Sequence, residues 1–236
     1  MILILKTGTT YNSIKSEYRD FEDWIITNMN LKEGEFLIHP TEDYQTVPPD
    51  NNYKGIVITG SHAMVTDIEP IENKMCNWLL NAHNNGMPLL GICYGHQLLC
   101  ALVGGTVSYN SMGTVIGSEK TMLTAEGQTD KLLGEFPPDF KVYKAHKQSV
   151  SNLPKSAKIL SVNETGMIDA FRLDERTWGV QFHPEFDQNI TKAYINELSD
   201  ELVSEGRDFL KLTNEVDDIA YGPKLLKRFR WITENT

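Results

Sequence analysis

The chain has 236 residues, which is long enough to bury a full hydrophobic core within a single domain. Asp and Glu number 32 against 22 Lys and Arg, and the formal charge of -10 excludes the basic surface typical of nucleic-acid-binding proteins. Three cysteines, a short N-terminal apolar run and no membrane-length segment predict a cytoplasmic protein without disulfide framework, signal peptide or membrane contact.

The first half of the chain alternates apolar strands with helices. Helices are predicted over Ile14–Met29 and from about Pro70 to Ala82. The strands around them are predicted at Ile2–Leu5, Glu35–Ile38, Gly55–Ile58 and Met87–Leu90. This alternation is typical of an α/β fold with a parallel sheet and helices on both faces. Ligands in such folds bind beyond the carboxyl ends of the strands.

A cysteine lies at the turn between the fourth strand and the next helix, in the segment Gly91-Ile92-Cys93-Tyr94-Gly95-His96-Gln97. The G-x-C-x-G spacing is the thiol version of a nucleophile elbow, in which glycines clear space around a strained turn. The sulfur then lies at a helix N-terminus, where backbone N–H groups and the helix dipole favour the thiolate. Cys93 is therefore a candidate nucleophile.

The middle of the chain is rich in short strands separated by glycine and polar turns. They are predicted at Thr106–Asn110, Thr114–Gly117, Lys120–Leu123, Phe140–Tyr143, Ala157–Val162 and Asp169–Leu173. We expect these strands to form an antiparallel edge that closes over the site. A further strand, Trp178–Phe182, is predicted to belong to this edge or to lie beside the main sheet.

The strand Trp178–Phe182 delivers His183-Pro184-Glu185 at its end. His183 can act as general base and later as general acid, and Glu185 can orient and polarise the imidazole. The proline between them fixes φ and ends the strand, so both side chains belong to a rigid connection. Together with Cys93, these residues match the roles of a Cys-His-Glu triad.

A metal site is the alternative reading of the same residues, since cysteine, histidine and glutamate are all ligand types. Only Cys93 and His96 are closely spaced, and a C-x2-H pair is a weak zinc signal alone. We therefore expect no metal. Thiol hydrolysis also needs no organic cofactor.

After Phe186 the chain is predicted to be helical to its end. One apolar face is formed by Ile190, Tyr194, Ile195, Leu198 and Leu202. We expect residues 187–236 to form a helical extension packed on the domain of residues 1–186. A surface that docks a partner protein is the alternative.

These motifs closely resemble those of the class I (triad) glutamine amidotransferases. The matching segments are Gly91-Ile92-Cys93-Tyr94-Gly95-His96-Gln97, Gly104-Gly105-Thr106-Val107, Gln181-Phe182-His183-Pro184-Glu185 and, more weakly, Ile58-Thr59-Gly60-Ser61. The resemblance runs from about Ile2 to Phe186 and is greatest to the glutaminase half of GMP synthase. It implies a flavodoxin-like, mixed and mainly parallel sheet. It also implies hydrolysis of the glutamine side-chain amide through a γ-glutamyl thioester, with release of ammonia.

An oxyanion hole for this chemistry needs two N–H donors. Elbow geometry supplies the N–H of Tyr94, and the resemblance implies that of Gly60 as the second donor. Gly60 is followed by Ser61-His62, where the family often has glycine and proline, and its alternative role is that of an ordinary turn glycine.

The resemblance also implies contacts to the substrate. Gln97 is implied to contact glutamine, and its alternative role is a buried side chain that bonds loop carbonyls. The segment Ala145–Val150 is implied to hold the α-amino and α-carboxylate groups through its backbone, although its side chains differ from the usual Ser-His-Gly-Asp-type version, and Lys147 and Gln148 are added to the site. For His146, a structural role is favoured over that of a second catalytic histidine.

Three functions remain open at this stage. The residues after Phe186 carry no P-loop-like or pyrophosphatase-type motif, so an amidotransferase would pass ammonia to a separate synthetase chain. Without that partner, the same residues suit a stand-alone γ-glutamyl peptidase or hydrolase acting on γ-glutamyl compounds. The third function is a catalytically silent binding or regulatory module, which the presence of nucleophile, base and carboxylate disfavours.

Overall fold

The structure of the protein, a computed structural model, describes residues 1–41, 45–67 and 73–235. The strands are β1 (Ile2–Lys6), β2 (Phe36–Pro40), β3 (Gly55–Ile58), β4 (Leu89–Ile92), β5 (Thr106–Tyr109), β6 (Val115–Leu123), β7 (Asp139–His146), β8 (Gln148–Asn152), β9 (Lys158–Asn163), β10 (Ile168–Arg172) and β11 (Thr177–Val180). The helices are α1 (Asn12–Tyr18), α2 (Phe21–Met29), α3 (Lys74–Asn84), α4 (Tyr94–Leu102), α5 (Ala125–Gln128), α6 (Gln188–Glu197), α7 (Ser199–Ser204), α8 (Phe209–Asn214) and α9 (Tyr221–Glu234).

A mixed sheet forms the centre of the described part of the chain, in the order β2-β1-β3-β4-β11-β10-β9-β6-β7. The strands from β2 to β11 pair in parallel, and the pairs from β11 to β7 are antiparallel. Strands β5 and β8 pair separately. The predicted α/β class, with a mixed and mainly parallel sheet, is confirmed.

Helices cover both faces of the parallel strands. Because successive residues of a strand point to opposite faces, Ile4 of β1 packs with α2 and α9, whereas Leu3 and Leu5 pack with α3 and α4. Among the described residues, no helix has the length and apolar character required to span a bilayer. Because helices cover both faces, the loops that follow the parallel strands meet at the carboxyl edge of the sheet.

The N-terminal helical segment is two helices, and the continuous helix predicted over Ile14–Met29 is wrong. Arg19 has a φ of 74° and ends α1. Asp20 then begins α2 with a capping box shared with Asp23. Asp20 also accepts a hydrogen bond from Lys6 Nζ at 2.8 Å, so the break ties α2 to the end of β1.

The middle of the chain differs from the prediction in three places. The strands predicted at Thr114–Gly117 and Lys120–Leu123 correspond to one strand, β6, which begins at Val115. Gly117 has a φ of 116°, and the pairing with β7 continues through it. Strand β8 was not predicted. Trp178–Phe182 corresponds to β11, which lies inside the main sheet between β4 and β10.

The described helix after β3 begins at Lys74, with Asn73 as its N-cap, and ends at Asn84. The predicted start near Pro70 lies outside the described residues.

The C-terminal helices contact the rest of the molecule in two clusters. Helices α6 and α7 bury Tyr194 and Leu202 against residues of α1 and α2. Helix α9 buries Phe229 beside Trp178 of β11. The division into residues 1–186 and 187–236 stays a prediction.

Candidate active site

The turn after β4 holds Cys93 in a conformation that few non-glycine residues adopt. Cys93 is the N-cap of α4, with φ 51° and ψ −98°, and its amide donates to the carbonyl of Val180 at 2.8 Å. A Cβ on Gly91 would lie 2.4 Å from the carbonyl oxygen of Gly95, and one on Gly95 would lie 2.7 Å from that of Ile58. The two glycines therefore permit the turn, and the strained backbone brings the sulfur to the helix N-terminus.

His183 and Glu185 lie in the connection after β11. The ring of His183 donates from Nδ1 to Glu185 Oε1 at 2.7 Å, and both side chains are buried. Phe186 stacks on the imidazole at a centroid distance of 4.0 Å. The amide of His183 is fixed to β7 by a 2.8 Å bond to the carbonyl of Tyr143. The imidazole is therefore held in one orientation, with Nε2 left for other partners.

Electrostatics favour a protonated imidazole at this position. Burial alone lowers the pKa of His183, but the negative charges and hydrogen bonds of Glu185 and Cys93 outweigh burial and raise this pKa above its ordinary value of 6.5. The raised pKa indicates that the imidazolium form of His183 is stabilised. A protonated His183 next to the sulfur of Cys93 places a proton donor beside the candidate nucleophile.

A chain of side-chain amides leads to the sulfur. Gln181 Nε2 donates to Cys93 Sγ at 3.6 Å, and Gln97 Nε2 donates to Gln181 Oε1 at 3.2 Å. Gln97 also donates to the carbonyl of Gln148 at 2.7 Å. Gln181 belongs to the motif that ends in Glu185, and no role was predicted for it. Its signal in the sequence is a polar residue inside the predicted apolar strand Trp178–Phe182, which in the structure ends at Val180.

Gly60 lies in the loop after β3, beside the candidate base. A Cβ at this position would be 3.1 Å from His183 Cε1, so only glycine lets the loop approach the imidazole without a shift. Among the described residues, no acceptor is bonded to the Gly60 amide. Tyr94 is the first residue of α4, at the end of the neighbouring strand. The structure thus places both predicted oxyanion donors at the same sheet edge.

Ser61 and His62, which stand where the family often has glycine and proline, give the loop after β3 its own set of contacts. Gly8 and Ser61 are in close contact, because a Cβ on Gly8 would lie 2.5 Å from Ser61 Oγ. The ring of His62 packs on Tyr11 at 4.0 Å, and its Nε2 lies 3.3 Å from the hydroxyl of Tyr194. The contact with Tyr194 joins the loop to α6, which the apolar pattern of α6 did not reveal.

A cleft of about 80 Å³ opens in front of Cys93. Of the residues predicted to contact substrate or oxyanion, Tyr94, Gln97, Lys147 and Gln148 line this cleft, whereas Gly60 does not. Six segments of the chain meet here, around residues 11, 61–64, 93–97, 114, 145–148 and 194–198.

The turn between β7 and β8 supplies both remaining polar groups. Lys147 Nζ forms an ion pair with Glu201 of α7 at 2.5 Å. Gln148 Nε2 donates to Thr66 Oγ1 at 2.7 Å, and its buried Oε1 has no partner among the described residues. His146 Nδ1 donates to the carbonyl of Gln148 at 2.9 Å, and burial lowers the pKa of His146 to about 3. His146 is therefore neutral and shapes the turn.

Comparison with known proteins places this arrangement in a family. Residues 18–199 match the family model described as glutamine amidotransferase class-I. Over 155 residues the chain is 32% identical to a GMP synthase [glutamine-hydrolyzing] of Cytophaga hutchinsonii, covering 65% of this chain and 28% of that protein. It is 30% identical over 160 residues to γ-glutamyl peptidase 3 of Arabidopsis thaliana, covering 64% of this chain and 63% of the peptidase. The chain therefore spans less than two thirds of either relative.

Solved structures agree on the fold. A glutamine amidotransferase from Thermotoga maritima superposes with a TM-score of 0.76 at 20% identity, covering 100% of this chain and 99% of that one. A glutamine amidotransferase from Methylobacillus flagellatus superposes with a TM-score of 0.71 at 19% identity, covering 98% of this chain and 93% of that one. Because the family model spans most of the sequence, the chain belongs to the class I glutamine amidotransferases.

Proposed function

We propose that the protein hydrolyses the side-chain amide of glutamine through a γ-glutamyl thioester on Cys93 and supplies the ammonia to a separate synthetase. The observation that carries this proposal is the combination of a strained elbow cysteine with a buried His183–Glu185 pair whose imidazole has a raised pKa. Cys93 supplies the nucleophile and His183 the acid that amide cleavage needs.

The first half of the reaction begins with the proton of Cys93 on His183. The thiolate attacks the δ-carbonyl carbon of glutamine, and the C=O electron pair moves to oxygen. The N–H groups of Gly60 and Tyr94 stabilise that oxyanion. As the oxyanion collapses, the C–N bond breaks, and the departing nitrogen takes the proton of His183 and leaves as ammonia.

In the second half, His183 is neutral and accepts a proton from water, which attacks the thioester carbonyl. Collapse of the second tetrahedral intermediate breaks the C–S bond and frees glutamate. Glu185 keeps Nδ1 protonated, so Nε2 takes and returns the proton in both halves. Gln181 donates to the sulfur and stabilises it as a leaving group.

The α-amino acid end of the substrate extends toward the turn between β7 and β8. Lys147 carries the positive charge needed to hold an α-carboxylate, and the unpartnered Oε1 of Gln148 is an acceptor for an ammonium group. Gln97 lines the same wall and connects it to Gln181.

The ammonia acceptor is proposed by analogy with the relatives. The C. hutchinsonii relative is named a GMP synthase [glutamine-hydrolyzing]. A protein that makes ammonia in this way needs an acceptor enzyme, and we propose that the acceptor is a separate chain.

A γ-glutamyl peptidase is the second candidate, favoured by a specific observation. The match to γ-glutamyl peptidase 5 of A. thaliana, at 28% identity, covers 81% of this chain and 73% of the peptidase. Helix α6 contributes Tyr194 to the cleft, so a C-terminal helix shapes the site as well. The same thioester chemistry would then release the amine of an amino acid or peptide in place of ammonia.

The product assay separates these candidates. The purified protein is incubated with glutamine or with a γ-glutamyl dipeptide, and glutamate and the leaving amine are quantified. The amidotransferase predicts glutamate and ammonia from glutamine, whereas the peptidase predicts faster release from the dipeptide. Both candidate functions require that Cys93→Ala cleaves neither substrate. If the wild-type protein cleaves neither glutamine nor the dipeptide, the proposal is contradicted.

A further inference from the structure

A closed network of hydrogen bonds joins the loop after β1 to the loop after β3. The amide of Thr7 donates to Thr59 Oγ1 at 3.0 Å, and Thr7 Oγ1 donates to the carbonyl oxygen of Thr59 at 2.9 Å. Thr59 Oγ1 in turn donates to the carbonyl oxygen of Gly60 at 2.9 Å. Both threonines are buried, so water does not compete for these groups.

The network acts on the peptide unit between Thr59 and Gly60. In a trans peptide the C=O and the N–H point in opposite directions, and the described chain contains only trans peptides. The hydroxyl of Thr7 holds the Thr59 carbonyl toward β1 and thereby turns the Gly60 N–H away from β1. No described residue accepts a hydrogen bond from that N–H.

A peptide next to glycine needs such a restraint. Glycine has no Cβ, so its flanking peptide units rotate more freely than those of other residues. A side chain at position 60 would gain rigidity only by displacing its neighbours, because a Cβ would lie 3.1 Å from His183 Cε1 and 3.3 Å from Phe21 Cε1. A neighbouring side chain can supply this restraint. The hydroxyl of Thr7 lies closest to the Thr59 carbonyl oxygen, at 2.9 Å, against 3.1 Å to Thr59 Oγ1 and 3.2 Å to the Gly60 carbonyl oxygen.

We propose that Thr7 is a positioning residue, whose hydroxyl fixes the Thr59–Gly60 peptide so that the Gly60 N–H faces the oxyanion of the tetrahedral intermediate. The inference rests on the proposed function and deepens it, because Gly60 is the proposed donor. A donor fixed before the reaction stabilises the developing charge without reorganisation. Without the hydroxyl, the buried Thr59 carbonyl loses its acceptor bond and the peptide rotates to find another donor.

Two pairs of Thr7 variants separate the hydroxyl from the shape of the side chain. Thr7→Val keeps the branched shape without the hydroxyl, while Thr7→Ser and Thr7→Ala differ from each other by the hydroxyl alone. Removing an oxyanion donor costs about 10²–10³ in kcat, and a donor that is only misplaced is expected to cost about 10-fold. We expect kcat to fall by this factor in Thr7→Val and Thr7→Ala and to return toward the wild-type value in Thr7→Ser. The KM of all three variants should be unchanged.

Thr177→Val is the matched control. Thr177 is also buried, and its Oγ1 forms a 2.8 Å bond with His83 Nδ1 at the opposite end of β11. We expect its kcat and KM to equal those of the wild type. Wild-type kcat in Thr7→Val, or equal losses in Thr7→Ser and Thr7→Ala, would overturn the proposal. If Thr7→Val does not fold, the comparison of kcat between Thr7→Ser and Thr7→Ala tests the proposal.

Crystal structures of the Thr7 variants distinguish failure of this inference from failure of the proposed function. If the wild-type protein cleaves no γ-glutamyl substrate, the proposed function fails, and the orientation of the Thr59 carbonyl alone tests the role of Thr7. A rotated carbonyl in Thr7→Val or Thr7→Ala, with the wild-type orientation in Thr7→Ser, supports it. An unrotated carbonyl in the variants without the hydroxyl contradicts it.

Discussion

The buried triad beneath the cleft, called the floor, and the partly exposed residues at its edge, called the rim, are held in place by different kinds of contact. On the floor, Cys93, His183 and Glu185 are all at least 95% buried and follow strands that pair in the centre of the sheet. At the rim, Lys147 and Glu201 form an ion pair whose side chains remain 39% and 31% exposed. The floor is held by backbone bonds to β7 and β11, whereas the rim is held by side chains from a turn and a short helix.

This difference suggests that the floor carries out the reaction and that the rim binds the substrate. Burial strengthens the charge interactions that a thiolate and an imidazolium require, and rigid backbone keeps the reacting groups aligned. A partly exposed pair is screened and contributes little to stability, so it is free to exchange partners for a substrate. Substitutions in the floor should therefore reduce kcat, and substitutions at the rim should change KM.

The largest expected effect is that of Cys93→Ala. Loss of the nucleophile should reduce turnover by at least about 10⁴-fold, because the remaining groups only polarise the substrate. Thermal unfolding, followed by circular dichroism, should change little because the side chain is small. Turnover close to the wild-type rate in a folded variant would remove Cys93 from the mechanism.

His183→Ala and Glu185→Ala sharpen the division within the floor. The histidine transfers protons in both half-reactions, while the carboxylate only orients it. Loss of Glu185 is therefore expected to cost kcat about 10- to 100-fold less than loss of His183. Steady-state kinetics on glutamine or a γ-glutamyl dipeptide measures both. Equal losses would show that the carboxylate takes part in proton transfer itself.

The pH dependence tests the charge of the floor. Because the pKa of His183 is raised above 6.5, its interaction with Glu185 stabilises the fold fully below pH 6.5, and this contribution is lost as the pH rises through the raised value. Glu185→Gln removes the negative charge, so the pKa of His183 falls. The alkaline limb of the kcat/KM profile should then move to lower pH.

Stability measurements provide the check on that shift. The difference in unfolding free energy between wild type and Glu185→Gln should be largest below pH 6.5 and should shrink as the pH rises. A difference that grows with pH, or an alkaline limb that does not move, would contradict a protonated His183.

The smallest effect is expected at the rim. Lys147→Met should raise KM about 10-fold, the order expected for losing a charged hydrogen bond, and leave kcat unchanged. Lys141→Met is the matched control, since Lys141 lies on the adjoining strand β7 and forms a 2.6 Å ion pair with Asp217, outside the cleft. If both variants keep the wild-type KM, Lys147 does not bind the substrate.

Features set by residues close in sequence were predictable. The elbow around Cys93 depends on glycines two residues away, and Glu185 reaches His183 across one proline. The α/β order followed from alternating apolar strands and helices. The break at Arg19 was missed, although Asp20 and Asp23 have the spacing of a capping box.

Features that depend on strand pairing were not predictable. The bonds between Thr7 and Thr59 exist because β1 and β3 are neighbours in register, with Leu5 opposite Ile58. The contact of Tyr194 with His62 needs α6 to fold back over the cleft. One sequence contains the apolar face of a helix but not the surface that this face covers.

The most direct test of the account is to locate the nucleophile with a diazoketone analogue of glutamine, followed by peptide mapping. A diazoketone alkylates the group that attacks the δ-position of the substrate. The account predicts one adduct, on Cys93, that glutamine or a γ-glutamyl dipeptide prevents and that Cys93→Ala does not form. An adduct on another residue, or labelling that persists in Cys93→Ala, would contradict it.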